Sequence, residues 1–116
     1  MVEPPTQARP DWHTVEDLLA HLAATRTKFP TALSGSNSIE SYEPGRRLRL
    51  EGDRGSSWVE VESIKECWET FERLGRIRRR DVLEPGRCSA FVMALFQQVA
   101  GIREETLGET YLCLPR

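Results

Sequence analysis

Apolar residues recur at helical spacing near the start of the chain. They form one stripe, made of Val15, Leu18, Leu19 and Leu22, which is the pattern of an amphipathic helix. Thr14 precedes the stripe and is a suitable N-cap. The helix is predicted to end near Thr25, ahead of Pro30. Residues 26–37 then predict a loop.

A second apolar stripe predicts the best-defined helix of the chain, Ser63–Leu74. The stripe consists of Ile64, Cys67, Trp68, Phe71 and Leu74. Ser63 and Glu66 have the spacing of a capping box, and Gly75 is a typical helix stop.

A third helix is predicted over residues 88–100, before Gly101. It is apolar on nearly every side, so we expect it to be buried or to lie in an interface.

Three shorter segments alternate apolar and polar residues and predict strands. They span residues 38–42, 46–51 and 56–61, separated by turns rich in Gly, Pro and Asp. Trp58 and Val61 are the candidate core residues of the third strand. A closing strand over residues 109–114 can add to the same sheet.

Together these elements predict an α+β fold: an N-terminal helix, a three-stranded antiparallel meander, two long helices and a closing strand. Residues 1–12 are proline-rich and polar, which predicts a disordered tail. Residues 13–116 predict a single domain.

The order of elements over residues 63–114 resembles that of a winged-helix domain. A helix is followed by an extended residue, Ile77, a short helical turn at 79–83, the 88–100 helix and the closing strand. The resemblance implies that the 88–100 helix enters the major groove of DNA. That helix offers only Gln97 and Gln98 to read base edges.

Charge is distributed unevenly along the chain. The formal net charge is −2, but residues 73–87 carry six arginines against two acidic residues. The preceding residues 59–72 carry five glutamates against Lys65. A boundary of this kind fits a surface that meets a polyanion or an acidic partner. It fits equally a helix whose ends are tuned to its dipole, and the sequence does not choose between the two.

The leading hypothesis is a non-catalytic nucleic-acid-binding accessory module of a bacterial regulatory or defence system, with DNA favoured over RNA. Its proposed contacts with the phosphate backbone are Arg76, Arg78, Arg79, Arg80 and Arg87, with Arg47 and Arg49 on the hairpin. Trp58, if exposed beside Arg47 and Arg49, can stack on a base.

The alternative hypothesis is a protein-interaction or dimerisation module. It uses the apolar 88–100 helix and the acidic and basic segments, and a homodimer is one such arrangement. The position of the arginines separates the two hypotheses, because arginines paired with glutamates are not available for phosphate.

The sequence gives little support to other classes of function. Cys67, Cys88 and Cys113 fit neither a disulfide framework nor a zinc motif, and His13 and His21 are not at ligand spacing. We expect no metal, no cofactor, no small-molecule substrate and no catalytic residues. No signal peptide or membrane span is predicted. Each cysteine falls in an apolar run, as a buried thiol of a reducing compartment does, and we therefore expect a cytoplasmic protein.

Overall fold

A computed structural model of the chain describes residues 9–30, 36–52, 55–82 and 89–115. The helices are α1 (Trp12–Thr25), α2 (Val61–Leu74), a short 3₁₀ helix (Arg79–Val82) and α3 (Ser89–Gln97). The strands are β1 (Phe29–Pro30), β2 (Ser36–Glu43), β3 (Arg47–Gly52), β4 (Gly55–Glu60), β5 (Arg76–Arg78), β6 (Arg103–Leu107) and β7 (Glu109–Cys113). The predicted α+β class is confirmed. Residues 1–8 of the predicted tail and residues 83–88, which include the start of the predicted third helix, lie outside the described residues.

Helix α1 begins two residues before the predicted N-cap. Asp11 is the N-cap: its Oδ1 accepts from the Thr14 amide at 2.9 Å, and the Asp11 amide donates to Thr14 Oγ1 at 3.2 Å. This reciprocal pair satisfies two amides that the first turn leaves open, so Thr14 is the third helical residue and not the cap. Val15, Leu19 and Leu22 are buried, as the stripe predicts.

The first sheet contains the predicted meander. Its strand order is β1-β2-β3-β4, all antiparallel, with the two-residue β1 added where a loop was predicted. Leu48 pairs with Val59, and both side chains are buried. Trp58 therefore lies on the opposite face and is 48% exposed, because neighbouring residues of a strand face opposite ways. The prediction of Trp58 as a core residue was wrong.

Helix α2 follows β4 without a break. Its N-cap is Glu60, whose side chain makes no capping hydrogen bond. The Val61 amide instead donates to the Arg46 carbonyl at 2.9 Å. The predicted start at Ser63 was therefore two residues late. The predicted stop is confirmed, since Gly75 has a φ of 77° and its amide donates to the Phe71 carbonyl at 2.8 Å.

The second sheet has the order β5-β7-β6 and is also antiparallel. The predicted closing strand is thus β7, and it pairs with β5 and β6 instead of joining the first sheet. Strand β6 was not predicted, because residues 103–106 are all polar and show no alternation. Gly108, with a φ of 77°, makes the tight turn between β6 and β7.

One hydrophobic core joins both sheets. At its centre Trp68 makes edge-to-face contacts with Phe71 and Phe96, at centroid distances of 5.3 and 5.1 Å. Helix α3 contributes Phe91, Leu95 and Phe96 to this core. These three side chains are therefore covered by the chain itself, and α3 ends at Gln97, earlier than predicted. None of the described helices is both long enough and apolar enough to cross a membrane.

Candidate functional site

The outer face of the first sheet carries an aromatic residue between two arginines. Arg47 and Arg49 lie on β3, and the register places Arg49 directly opposite Trp58 on β4. The Arg47 guanidinium carbon is 4.0 Å from the Trp58 ring centroid, and that of Arg49 is 5.5 Å away. Both distances allow cation–π attraction. We call this group, together with Glu40 and Glu43, the Trp58 surface.

The two arginines of the Trp58 surface are paired with carboxylates of β2. Arg47 Nε donates to Glu43 Oε2 at 2.7 Å, and Arg49 Nε lies 3.3 Å from Glu40 Oε2. The hydrogen bond from Arg47 lowers the pKa of the Glu43 carboxyl, and its charge and that of Arg46 act in the same direction. Glu43 is therefore ionised at neutral pH. Two positive and two negative charges cancel on this surface.

Trp58 also lies on an open sheet edge. β4 is the last strand of the first sheet, and no strand pairs with its outer side among the described residues. Its sequence, GSSWVE, has neither lysine nor proline, the residues that commonly protect an edge from pairing. Backbone groups of alternate residues of β4 bond to β3, and those of the residues between them are presented beside the exposed tryptophan.

Arg78, one of the arginines of residues 73–87, is paired with carboxylates of its own chain. Arg78 is half-buried, and its Nη1 donates to Glu109 Oε2 at 3.0 Å and to the Tyr111 hydroxyl at 3.3 Å. Its Nε lies 3.5 Å from Asp81 Oδ2. The hydrogen bond to Glu109 is the main reason that the pKa of Arg78 is raised. Arg78 is therefore held within the second sheet.

The other predicted contacts have different surroundings. Arg76 is exposed, with its guanidinium carbon 4.8 Å from the Tyr111 ring centroid. Arg79 is half-buried in the 3₁₀ helix. The side chain of Arg80 and all of Arg87 lie outside the described residues. Of the seven arginines predicted to bind nucleic acid, Arg47, Arg49 and Arg78 are paired with carboxylates.

A second feature is an open groove of about 290 Å³ at the edge of the second sheet. The charged residues among its described lining are Arg9, Arg76, Arg103 and Glu105. The register explains their approach: Arg76 and Arg103 both lie opposite Cys113, on either side of β7. Residues opposite each other in a sheet share a face. We call this the arginine groove.

The floor of the arginine groove contains a buried thiol. Cys113 Sγ donates to Glu105 Oε2 at 3.1 Å. Burial raises the pKa of the Cys113 thiol, and the bond to Glu105 raises it further. Cys113 is thus protonated at neutral pH, which makes it a poor nucleophile.

The described residues offer little for catalysis or metal binding. No group of three or more His, Cys, Asp or Glu side chains could hold a metal ion in the part of the chain that is described. Burial raises the pKa of the Cys67 thiol to about 11, so this cysteine is also unreactive. His13 lies on the surface of α1, 3.8 Å from Glu16 and Asp17.

Sequence reasoning missed both the neutralisation at Trp58 and the groove. The four-residue spacing of Glu43 and Arg47 across the turn was a usable signal for the first. No local signal pointed to Arg9 and Arg103, which approach Arg76 through the pairing of β6 with β7 and the position of the segment before α1.

No family model, curated protein or solved structure matches the chain.

Proposed function

We propose that this chain is a protein-interaction module that binds its partner through the Trp58 surface. The observation that carries the proposal is the exposed Trp58 on an edge strand, held between two arginines whose charges are cancelled by Glu40 and Glu43. Tryptophan and arginine are the residues most enriched at the energetic centres of protein interfaces.

The open edge of β4 indicates how a partner would bind. An extended segment of the partner adds a strand beside β4, so that main-chain hydrogen bonds supply affinity. The alternate side chains of that segment then contact Trp58 and the guanidinium groups that lie over its ring. Because the ion pairs already hold both arginines in place, little side-chain freedom is lost on binding.

Nucleic-acid binding remains the rival function. What supports it is the same tryptophan, which can stack on a base, and the winged-helix-like order of α2, β5, the 3₁₀ helix, α3 and the β6–β7 hairpin. We favour it less because Glu40 and Glu43 would lie beside the phosphates. At the end of α3, Gln97 and Gln98 are exposed, but the Gln97 amide already donates to Glu104 Oε2 at 2.6 Å and the Gln98 amide to the Ala94 carbonyl at 3.3 Å.

The alternative use of the 88–100 helix as an interface is not part of this proposal. Phe91, Leu95 and Phe96 are already enclosed in the core of the chain. Exposing them to a partner would uncover that core, whereas Trp58 can be covered at no such cost.

A peptide-display selection tests the proposal. Random ten-residue peptides are selected on the immobilised chain, and each enriched peptide is then titrated against the wild type and Trp58→Ala. We expect Trp58→Ala to weaken these peptides by roughly thirtyfold or more, the loss seen at interface hot spots. Tyr111→Ala is the matched control, because Tyr111 also lies beneath arginines, in the second sheet.

Two results of the selection would count against the proposal. One is the absence of any peptide that prefers the folded chain. The other is a set of peptides that bind Trp58→Ala and the wild type equally well, which would place the contact elsewhere.

A further inference from the structure

We propose that the arginine groove binds a phosphomonoester group carried on an apolar body. The groove lies on the second sheet and has no residue in common with the Trp58 surface. The inference therefore stands independently of the proposed function, and either can fail without the other.

The first argument is the arrangement of the arginines. Arg76 on β5 and Arg103 on β6 flank Cys113 on β7 in one row of the sheet. Arg9 approaches from the segment before α1, where its Nε donates to the Pro115 carbonyl at 3.2 Å. That bond uses one donor and leaves the terminal guanidinium nitrogens to meet a ligand. Arginine forks match the geometry of phosphate and carboxylate oxygens.

The second argument is the charge of the groove. Among the described lining residues, three guanidinium groups accompany a single carboxylate, Glu105. One Glu105 oxygen already accepts from the Cys113 thiol. Like charges brought together repel unless a counter-charge lies between them. The excess of two positive charges matches the charge of a phosphomonoester near neutral pH.

The third argument is the apolar wall. Leu74, at the end of α2, lines the groove and is 51% exposed, although it belongs to the stripe that otherwise faces the core. Leu114 lies on the same lining and is buried. A ligand with an apolar body would cover the exposed part of Leu74 while its oxyanion meets the arginines.

The experiment is a calorimetric titration of the full chain with three probes: inorganic phosphate, phenyl phosphate and benzoate. We expect phenyl phosphate to bind with a Kd of about 1 mM or tighter. Inorganic phosphate should bind more weakly because it does not cover Leu74. Benzoate should also bind more weakly because it carries one negative charge.

Three variants locate the binding. Arg103→Gln should weaken phenyl phosphate by roughly tenfold, the effect of losing one charge-assisted contact, and Arg76→Gln should act in the same way. Leu74→Ser should remove most of the advantage of phenyl phosphate over inorganic phosphate. Arg26→Gln is the matched control, since Arg26 is an exposed arginine at the far end of α1 from Arg9.

Several outcomes would overturn the inference. The first is that no probe gives a heat of binding at about ten times the expected Kd. The second is that the wild type and both arginine variants bind phenyl phosphate with equal affinity. The third is that benzoate binds as tightly as phenyl phosphate. Thermal unfolding of each variant shows whether it is folded. If Arg103→Gln is unfolded, Arg76→Gln decides the result.

Discussion

The Trp58 surface and the arginine groove both contain arginines, but the charges of the first cancel whereas the second has an excess of positive charge. On the first sheet, Arg47 and Arg49 each face a carboxylate of β2, and a tryptophan lies exposed between them. In the groove, three arginines share Glu105. Pairing across strands, and not the number of arginines in the sequence, decides which region carries a positive field. This is why we assign a protein partner to the first region and an anion to the second.

The largest expected effect comes from a substitution in the core that supports both regions. Phe71 is fully buried and contacts the rings of Trp68 and Phe96, in the core on which both sheets pack. Phe71→Ala should lower the free energy of unfolding by about 3–5 kcal/mol, measured by urea denaturation. A loss below about 1 kcal/mol would show that the two sheets do not depend on this core.

The contacts that the arginines make in the folded chain were the least predictable part of the structure. The α2 stripe and the alternation in β3 were readable because one face of each is buried in the core. Strand β6 was not, since Arg103, Glu104 and Glu105 are polar and the strand is formed by pairing with β7. Arg78 stands beside Arg79 and Arg80 in the sequence, but its contact with Glu109 crosses 31 residues. Contacts of that range leave no local signal.

The wrong prediction that Trp58 is a core residue has a clear cause. Trp58 and Val59 are neighbours on one strand, so one of them had to face outward. The register shows that Trp58 is the one that faces outward, because Val59 is opposite the buried Leu48. The strand itself could be predicted, but which of its two faces packs on the core could not.

A second prediction concerns the core beneath both regions. Burial raises the pKa of Cys67 from 9.0 to about 11. The unfolded chain therefore loses this proton at lower pH than the folded chain, so the stabilisation is complete below pH 9 and is lost as the pH rises towards 11. At pH 11 the loss reaches about 2 kcal/mol.

Urea denaturation from pH 8 to pH 11 measures this loss. Cys67→Ala should show a much flatter fall in stability than the wild type, whatever its stability at pH 8. Parallel curves for the two proteins would show that the Cys67 thiol does not titrate in this way.

A third prediction concerns a variant that gives the Trp58 surface an excess of positive charge, as in the arginine groove. The double variant Glu40→Gln and Glu43→Gln removes the two carboxylates that neutralise Arg47 and Arg49. The Trp58 surface then gains two net positive charges beside an aromatic ring. We expect affinity for a single-stranded oligonucleotide to rise by roughly tenfold at low salt. Glu62→Gln with Glu66→Gln, on the exposed face of α2, is the control that makes the same change in net charge.

The smallest expected effect concerns the stability of Trp58→Ala. Trp58 is about half exposed, and its interactions with Arg47 and Arg49 lie at the surface. The free energy of unfolding should change by no more than about 1 kcal/mol, even though peptide binding is lost. A fall of several kcal/mol would mean that Trp58 supports the sheet and is not held for a partner.

The central claim is that the arginines of this chain are placed for a protein partner and a single anion, and not for a nucleic-acid backbone. A fluorescence-anisotropy titration with a labelled random duplex, at about 50 and 200 mM salt, tests it most directly. We predict no micromolar binding at either concentration, since one groove offers a duplex too few phosphate contacts. Micromolar binding at low salt that falls steeply at high salt, and that Arg47→Gln with Arg49→Gln abolishes, would contradict the claim.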